Sequence, residues 1–410
     1  MSDQRFAYLK RIAEKTVCDC TFPKDFLWEG KSEKIDLLLP SGDEKYQSFW
    51  VRDCVMMAES GLVPLELMRK YIEIFAACGQ NGEMPRFLQN GLVIPPFAVA
   101  DHINYNGKAV YYPGTYNDGE NQGEGRYGFF PPSCDSFYFI LMVGAYLRFG
   151  GDASVLDRFF SGFDLKTRLE KAFSAYGIDE STQLCTSDEK YYTVDFGFTD
   201  SIQKSGHLLF ASILRYRAAC ALEEIFADDP EKKNMYRQYK NTIAQSIRAV
   251  FYDESSGWLY SATGIGHQHD VWGTAYAAYL GIVTEEKTLS ALKAAYLDKT
   301  AFADGQVRHI LTTENAREDS AWEVSRGALD TYQNGGYWAT ATGWYAGALY
   351  RYDKTVSLAI FDDFIAHTEK YADAGAPFEW INRDTSDFSG CKYGTSGVLP
   401  YIAYTEKCLG

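Results

Sequence analysis

Apolar residues along this chain recur mostly three and four positions apart, a spacing that predicts helices. Phe6, Leu9, Ile12, Ala13 and Val17 mark a first amphipathic helix. Residues 19–45, rich in Gly, Pro, Asp and Ser, read as a loop. A helical pattern opens at Gln47-Ser48-Phe49-Trp50-Val51-Arg52-Asp53 and ends at Gly61; Leu65, Met68, Ile72 and Phe75 mark the next, which stops at Gly79. Residues 80–132 carry no helical period, and a loop of that length is expected to be functional. The alternation then resumes. An almost wholly apolar helix is expected over 134–149, a more polar one over 153–175, and a loop over 177–199. A further apolar helix is expected over 200–226, with a partner marked by Met235, Tyr239, Ile243, Ile247 and Val250. The cycle recurs at 271–280, with Leu289, Leu292 and Tyr296 on its partner. It recurs again at 337–350 with 355–371, and closes with a helix over 393–407.

About twelve helices thus alternate between two kinds, and six long loops alternate with short turns, the self-similar spacing of a repeat architecture. Short turns make antiparallel hairpins. The helix after each long loop is apolar on nearly all sides and is expected inside; its amphipathic partner is expected outside. Six such hairpins closed in a ring predict an all-α fold, an (α/α)6 barrel or six-hairpin toroid, built as a single catalytic domain over residues 1–410 with its long loops on one face. An open solenoid fits less well, because no terminal repeat has a polar outer face.

Composition narrows the partners. A net charge of −15 argues against nucleic acid and anionic membranes. The longest apolar run, 137–147, is too short for a bilayer, which needs roughly 20 residues. Nine scattered cysteines match no zinc spacing and no paired framework, which points to buried thiols in a reducing compartment. The cytoplasm is the expected location, or the periplasm if a leader has been removed. The chain holds 30 Tyr, 26 Phe and 8 Trp, and flat rings with a polar edge suit sugars as well as cores.

The chemistry gathers at the starts of the expected inner helices. Trp50, Arg52 and Asp53 stand at one, Asp135 at another, Asp200 at a third, His267, His269 and Trp272 at a fourth, and Trp338 at a fifth. Any one acid before a helix is most simply an N-cap. Several such clusters on one face make a shared pocket. A pocket of aromatic rings and carboxylates suits carbohydrate, and cleaving a glycosidic bond needs two carboxyl groups with separated pKa values. Asp195 or Asp200 is the candidate for one role. Glu379, set in the apolar segment Ala376-Pro377-Phe378-Glu379-Trp380-Ile381-Asn382, is the candidate for the other. No cofactor and no metal site is expected. The acidic loop around Asp118 and Glu124 matches no calcium spacing, and His267 and His269 lack a third ligand.

On these stretches the chain resembles the six-hairpin (α/α)6-barrel glycosidases, the clan of trehalase, glucoamylase and processing α-glucosidase relatives. Phe49-Trp50-Val51-Arg52-Asp53 resembles the clan's aromatic-x-Arg-Asp signature, and Gly82-Glu83-Met84-Pro85 its Gly-x-x-Pro turn. Phe196-Gly197-Phe198-Thr199-Asp200-Ser201 occupies the position of the general acid. Tyr332-Gln333-Asn334-Gly335-Gly336-Tyr337-Trp338 is similar to a clan segment, and Glu379 falls where the base is placed. The resemblance implies an inverting, exo-acting hydrolase of an α-linked sugar. Asp200 would be the acid and Glu379 the base, roughly 6.5–9.5 Å apart. It also implies Arg52, Asp53 and Gln333 on the terminal sugar, with Trp272, Trp338 and Trp380 beside it. The sequence departs from the clan where a Trp beside the acid is replaced by Phe196 and Phe198. Alternatives on the same barrel are a sugar epimerase or isomerase using histidines, a uronate lyase using tyrosines, and a carbohydrate-binding relative without catalysis.

Overall fold

The computed structural model describes residues 4–123, 128–174, 177–188, 197–382, 388 and 391–410. Among these residues there are twelve α-helices: α1 (Gln4–Asp19), α2 (Val51–Ala58), α3 (Leu65–Ile74), α4 (Cys134–Arg148), α5 (Leu165–Phe173), α6 (Leu209–Ile225), α7 (Pro230–Phe251), α8 (Val271–Tyr279), α9 (Glu286–Leu297), α10 (Thr342–Leu349), α11 (Lys354–Lys370) and α12 (Gly394–Tyr404). The two kinds of helix that the periodicity predicts are both present. All eight residues of α2 are buried, and in α10 and α12 every residue but one. In α7 only Tyr236, Ile243, Ile247 and Phe251 are buried, one stripe along the helix. Asp229 caps α7 by accepting from the amides of Glu231 and Lys232, and Pro230 occupies the first turn, where its missing N–H costs nothing.

The buried helices pack on one another in a cycle. α2 lies against α4, α4 against α6, α6 against α8, α8 against α10, α10 against α12, and α12 returns to α2. The odd-numbered helices pack outside this ring, α7 on α6, α11 on α10 and α1 on α12. Gly343 is needed where α10 meets α12: a Cβ there would lie 2.6 Å from the carbonyl oxygen of Leu399.

The fold is mixed rather than all-α. Thr21–Trp28 (β1) and Lys31–Leu38 (β2) form an antiparallel hairpin, with Trp28 opposite Lys31 across the turn. Its turn residues, Glu29 and Gly30, both take positive φ, the geometry of a tight two-residue hairpin. Alternation of Phe22, Lys24, Phe26 and Trp28 is the strand signal inside the stretch that reads as a loop. Short strands also stitch the long loops: Phe49–Trp50 pairs with His102–Ile103, and Val307 and Arg308 pair with Trp338 and Tyr337. Four helix starts differ from expectation, the first being α2, which opens at Val51 rather than Gln47 because Phe49–Trp50 is used as a strand. α6 begins at Leu209, so Asp200 lies in a turn ahead of it and Lys204 and His207 are not helical. The polar segment after α4 divides into a short 3-10 turn, Ala153–Asp157, and α5. α10 starts at Thr342, because Tyr337–Trp338 is used as a strand.

Candidate active site

Arg52 and Asp53 open α2, where the strand Phe49–Trp50 turns into helix. The Val51 amide donates to the Asp101 carbonyl at 3.1 Å, which brings the 80–132 loop onto this helix start. The Tyr393 hydroxyl, from the start of α12, donates to Asp53 Oδ1 at 2.7 Å. The Arg52 guanidinium lies 4.9 Å above the Phe198 ring and 3.8 Å from Asp53 Oδ2. Burial pushes the Asp53 carboxyl above its ordinary range; Arg52 and Tyr393 oppose this, while Asp101 and Glu379 add to it.

Asp200 stands two residues after Phe198, in a turn closed by the Ile202 amide on the Thr199 carbonyl at 2.9 Å. Phe198 takes a left-handed backbone at φ 55°, a conformation that costs a bulky residue roughly 1–3 kcal/mol and concentrates at functional sites. Its ring is wedged against Trp338, Trp272 and Tyr393 at 5.5, 5.8 and 6.1 Å. His309 donates through Nε2 to the Gly197 carbonyl at 2.8 Å, and burial lowers its pKa to about 3, so the imidazole is neutral. Gln333 holds Asp200 from both ends of its amide: Nε2 donates to Asp200 Oδ1, and Oε1 accepts from the Ser201 amide at 2.7 Å. Burial raises the Asp200 carboxyl above its usual range, against the pull of Arg52 and Gln333.

Glu379 comes from the last long loop, tied to the ring by the Ile381–Tyr337 and Phe378–Lys392 bridges. Its side chain is 1% exposed. Tyr46 donates to Oε1, Lys45 Nζ donates to Oε2 at 3.2 Å, and the Cys391 thiol approaches Oε2 at 3.4 Å. Burial, and then the charge of Glu379, push the Tyr46 phenol far above its ordinary range and keep it a donor. Tyr332 lies in the field of both acids. Its phenol is raised by burial first, then by Asp200 and by Glu379. Like Phe198 it has a positive φ, 45°.

The structure therefore brings Arg52, Asp53, Asp135, Asp200, Gln333 and Glu379 into one electrostatic neighbourhood. Asp135, in the first turn of α4, is 0% exposed; burial raises its carboxyl well above the usual range, with Asp101 adding and Arg52 opposing. Asp195 lies outside the described residues, as does Glu124. Trp272 and Trp338 have no exposed surface and donate to the carbonyls of Val307 and Tyr332. Their expected stacking on a sugar is replaced by support of Phe198 from beneath. Trp50 stacks on His102 at 4.5 Å, and Trp380 is partly exposed beside Gly336. His269 is not brought to the acids: Glu314 lies 2.8 Å from its Nδ1 and Asp253 3.1 Å from its Nε2. Sequence reasoning missed Lys45, Tyr46, Asp101, His102, Tyr332 and Tyr393 as site residues. Lys45 and Tyr46 carry a local signal, being the residues that lead into the Arg-Asp motif; Tyr332 opens the Tyr-Gln-Asn-Gly-Gly segment, and Tyr393 stands at an inner-helix start. Among the described residues no group of three or more His, Cys, Asp or Glu is placed to hold a metal ion. Among them, too, no helix is long and apolar enough to cross a membrane.

No family model matches the chain, and no curated protein sequence does. Solved structures match in fold. A rhamnosidase from Klebsiella oxytoca with rhamnose bound superposes with a TM-score of 0.61 at 13% identity, covering 100% of this chain and 65% of that one. A GH78 family rhamnosidase of Bacillus sp. GL1 superposes with a TM-score of 0.59 at 14% identity, covering 99% of this chain and 35% of that one. A wild-type glycosidase gives a TM-score of 0.55 at 12% identity, covering 100% and 99%. The chain thus spans under two thirds of the two rhamnosidases and nearly all of the third protein. At these identities the likeness is one of fold, and this chain shares its fold with glycosidases.

Proposed function

We propose that this protein is an inverting glycoside hydrolase that removes a terminal α-linked sugar, with Asp200 as general acid and Glu379 as general base. We read the closed ring of buried helices as the (α/α)6 barrel of the six-hairpin glycosidases, with the active site on the rim where the inner helices begin. One observation carries the reading: two buried carboxyl groups sit in different hydrogen-bond settings, Asp200 on Gln333 and Glu379 on Tyr46 and Lys45, and the charge of each acts on the same neighbour, Tyr332. Asp200 is raised by burial, as a proton donor to a leaving oxygen must be. Glu379 accepts on both oxygens, from Tyr46 and Lys45, as suits a group that takes a proton from water. Inversion is the expected outcome because separate acid and base residues act on opposite faces of the sugar. Arg52 and Asp53 offer a donor and an acceptor to sugar hydroxyls. The fold shared with rhamnosidases and a glycosidase supports the substrate class. A uronate lyase is disfavoured, because Arg52, the cation that would have to neutralise a uronate, is already engaged by Asp53 at 3.8 Å.

The test is a panel of p-nitrophenyl α-glucoside, α-mannoside and α-rhamnoside, assayed with wild type, Asp200→Asn, Asp195→Asn and Glu379→Gln. Wild type should turn over at least one glycoside. Loss of either catalytic carboxyl should reduce kcat by about 10²–10⁴-fold, the usual contribution of general acid–base catalysis. Asp195→Asn should leave much more activity. An inactive wild type, or full activity in Asp200→Asn and Glu379→Gln, sinks the reading.

A further inference from the structure

The turn that carries Asp200 is held from two directions. On its C-terminal side, the Gln203 amide donates to the Val324 carbonyl at 3.0 Å and the Arg326 amide to the Ser201 carbonyl at 3.2 Å, while Gln333 holds Asp200 and the Ser201 amide. On its N-terminal side stands His309. This residue follows directly on Val307 and Arg308, the strand residues paired with Trp338 and Tyr337, and its carbonyl accepts from the Val271 amide at the start of α8 at 2.8 Å. Its ring lies on Trp272, with centroids 3.8 Å apart and planes inclined by 17°. A carbonyl only accepts, so the bond to Gly197 places the ring proton on Nε2 and leaves a lone pair on Nδ1. Nδ1 is buried and has no hydrogen-bond partner among the described residues. With one bond made and one nitrogen left unpaired, the imidazole contributes little net stability. Its importance lies in where the bond falls. Gly197 is packed against Phe210 on another side, where a Cβ would come within 2.8 Å of the ring. The next residue, Phe198, has the left-handed backbone, which persists only where its surroundings enforce it. Asp200 follows two residues later.

We infer that His309 is a positioning residue for the general acid: its bond to the Gly197 carbonyl, braced by the stack on Trp272, fixes the turn at Phe198 and so the direction in which Asp200 offers its proton. The inference rests on Asp200 being the acid. As the glycosidic C–O bond breaks, its electron pair stays with the departing oxygen, that oxygen takes the Asp200 proton, and Asp200 is left as a carboxylate. His309 itself transfers no proton. Burial keeps it neutral, and its one N–H is occupied by a backbone carbonyl. Without that bond the Gly197 carbonyl is free to rotate, the left-handed turn loses one of its restraints, and the acid drifts from the glycosidic oxygen. Proton donation is steeply sensitive to such drift, since a misplacement of about 1 Å costs on the order of 10²-fold in rate. Sugar binding is much less sensitive, so the loss falls on kcat rather than KM. It also falls unevenly across substrates. A leaving group that departs readily as an anion needs little help from an acid, whereas a poor one needs it fully.

The test uses aryl glycosides of whichever sugar wild type turns over, graded from dinitrophenyl through p-nitrophenyl and phenyl to methoxyphenyl. Variants of the full chain are compared with wild type across the series. Asp200→Asn is the reference for a lost acid. His309→Phe keeps a ring on Trp272 and loses the bond to Gly197. His309→Gln restores a donor, its side-chain amide, in place of Nε2. His309→Phe should lower kcat on the methoxyphenyl glycoside by about 10–100-fold, part of what general acid catalysis supplies, and on the dinitrophenyl glycoside by about twofold at most. KM should stay within about threefold of wild type. His309→Gln should recover most of the loss. The inference is overturned if His309→Phe loses activity evenly across the series, if its loss falls on KM, if it stays fully active, or if His309→Gln fares no better. Should His309→Phe not fold, His309→Leu replaces it under the same criteria; failure of both to fold makes the residue structural and overturns the inference too. Failure of the hydrolase reading looks different. Wild type is then inactive on every glycoside, or Asp200→Asn shows no steeper dependence on the leaving group, and both readings fall together. A steep Asp200→Asn beside a flat His309→Phe overturns the positioning role alone.

Discussion

The two rims of the helix ring handle buried charge in opposite ways. On the rim where α2, α6, α8 and α12 end or turn back, Arg217 donates to both oxygens of Glu59, and Tyr279 donates to Glu406. These groups line a small cleft of about 50 Å³, in which the buried Glu59 is already matched by Arg217. On the other rim Asp53, Asp101, Asp135, Asp200 and Glu379 gather around Arg52 and Lys45, and the Asp135 carboxyl has no hydrogen-bond partner among the described residues. Breaking a matched buried pair leaves an uncompensated charge, whereas a buried polar group without a partner calls for an explanation, which a ligand would supply. The backbone agrees, since Phe198 and Tyr332, both with positive φ, flank the acidic rim.

That contrast can be broken most forcefully from the matched side. Arg217→Met leaves Glu59 buried without its partner and should destabilise the fold by about 3–5 kcal/mol, the usual result of breaking a buried pair. Denaturant unfolding would show it. The KM of the surviving enzyme should stay near wild type, because Arg217 serves the opposite rim. A stable Arg217→Met protein with altered KM would erase the distinction between the rims.

A smaller effect sharpens the acidic side. The Gln333 amide favours the ionised form of Asp200, so Gln333→Leu should raise the Asp200 pKa further. The acid must be protonated to act, and the alkaline limb of kcat/KM should therefore move to higher pH. A limb that stays in place, or moves down, would separate Asp200 from the proton that matters.

The smallest effect lies outside both rims. Glu314 and Asp253 raise the His269 pKa above its ordinary 6.5, although burial works against them. A raised folded-state pKa means that the pair's stabilisation is complete below pH 6.5 and fades as pH climbs through the raised value. Melting temperature should fall across that window in wild type and stay flatter in His269→Gln. Equal pH profiles would show that the two carboxylates do not hold the imidazolium.

What could be read from the sequence follows the range of each signal. The inner and outer helices were legible because burial repeats every three to four residues within one segment, as in α7 and α12. Arg52, Asp53, Asp200 and Glu379 were legible because they stand beside aromatic and glycine-rich stretches at loop ends. Asp101 and His102 were not, because their place depends on a strand pairing with Phe49–Trp50 some fifty residues earlier, which no local period encodes. The start of α6 was misplaced because apolar residues around Ile202 are buried by packing against Trp322 and Ile310, not by helix formation. The burial of Trp272 and Trp338 was hidden for the same reason: a ring that stacks on a sugar and a ring that props up Phe198 look alike in sequence.

The central claim is that Asp200 and Glu379 act as separate acid and base on one glycosidic bond. Proton NMR of the sugar released in the first moments of hydrolysis, before mutarotation, tests it most directly. An α-glycoside should yield the β-anomer first. Release of the α-anomer would mean a covalent intermediate, and with it a different division of labour between these two carboxyl groups.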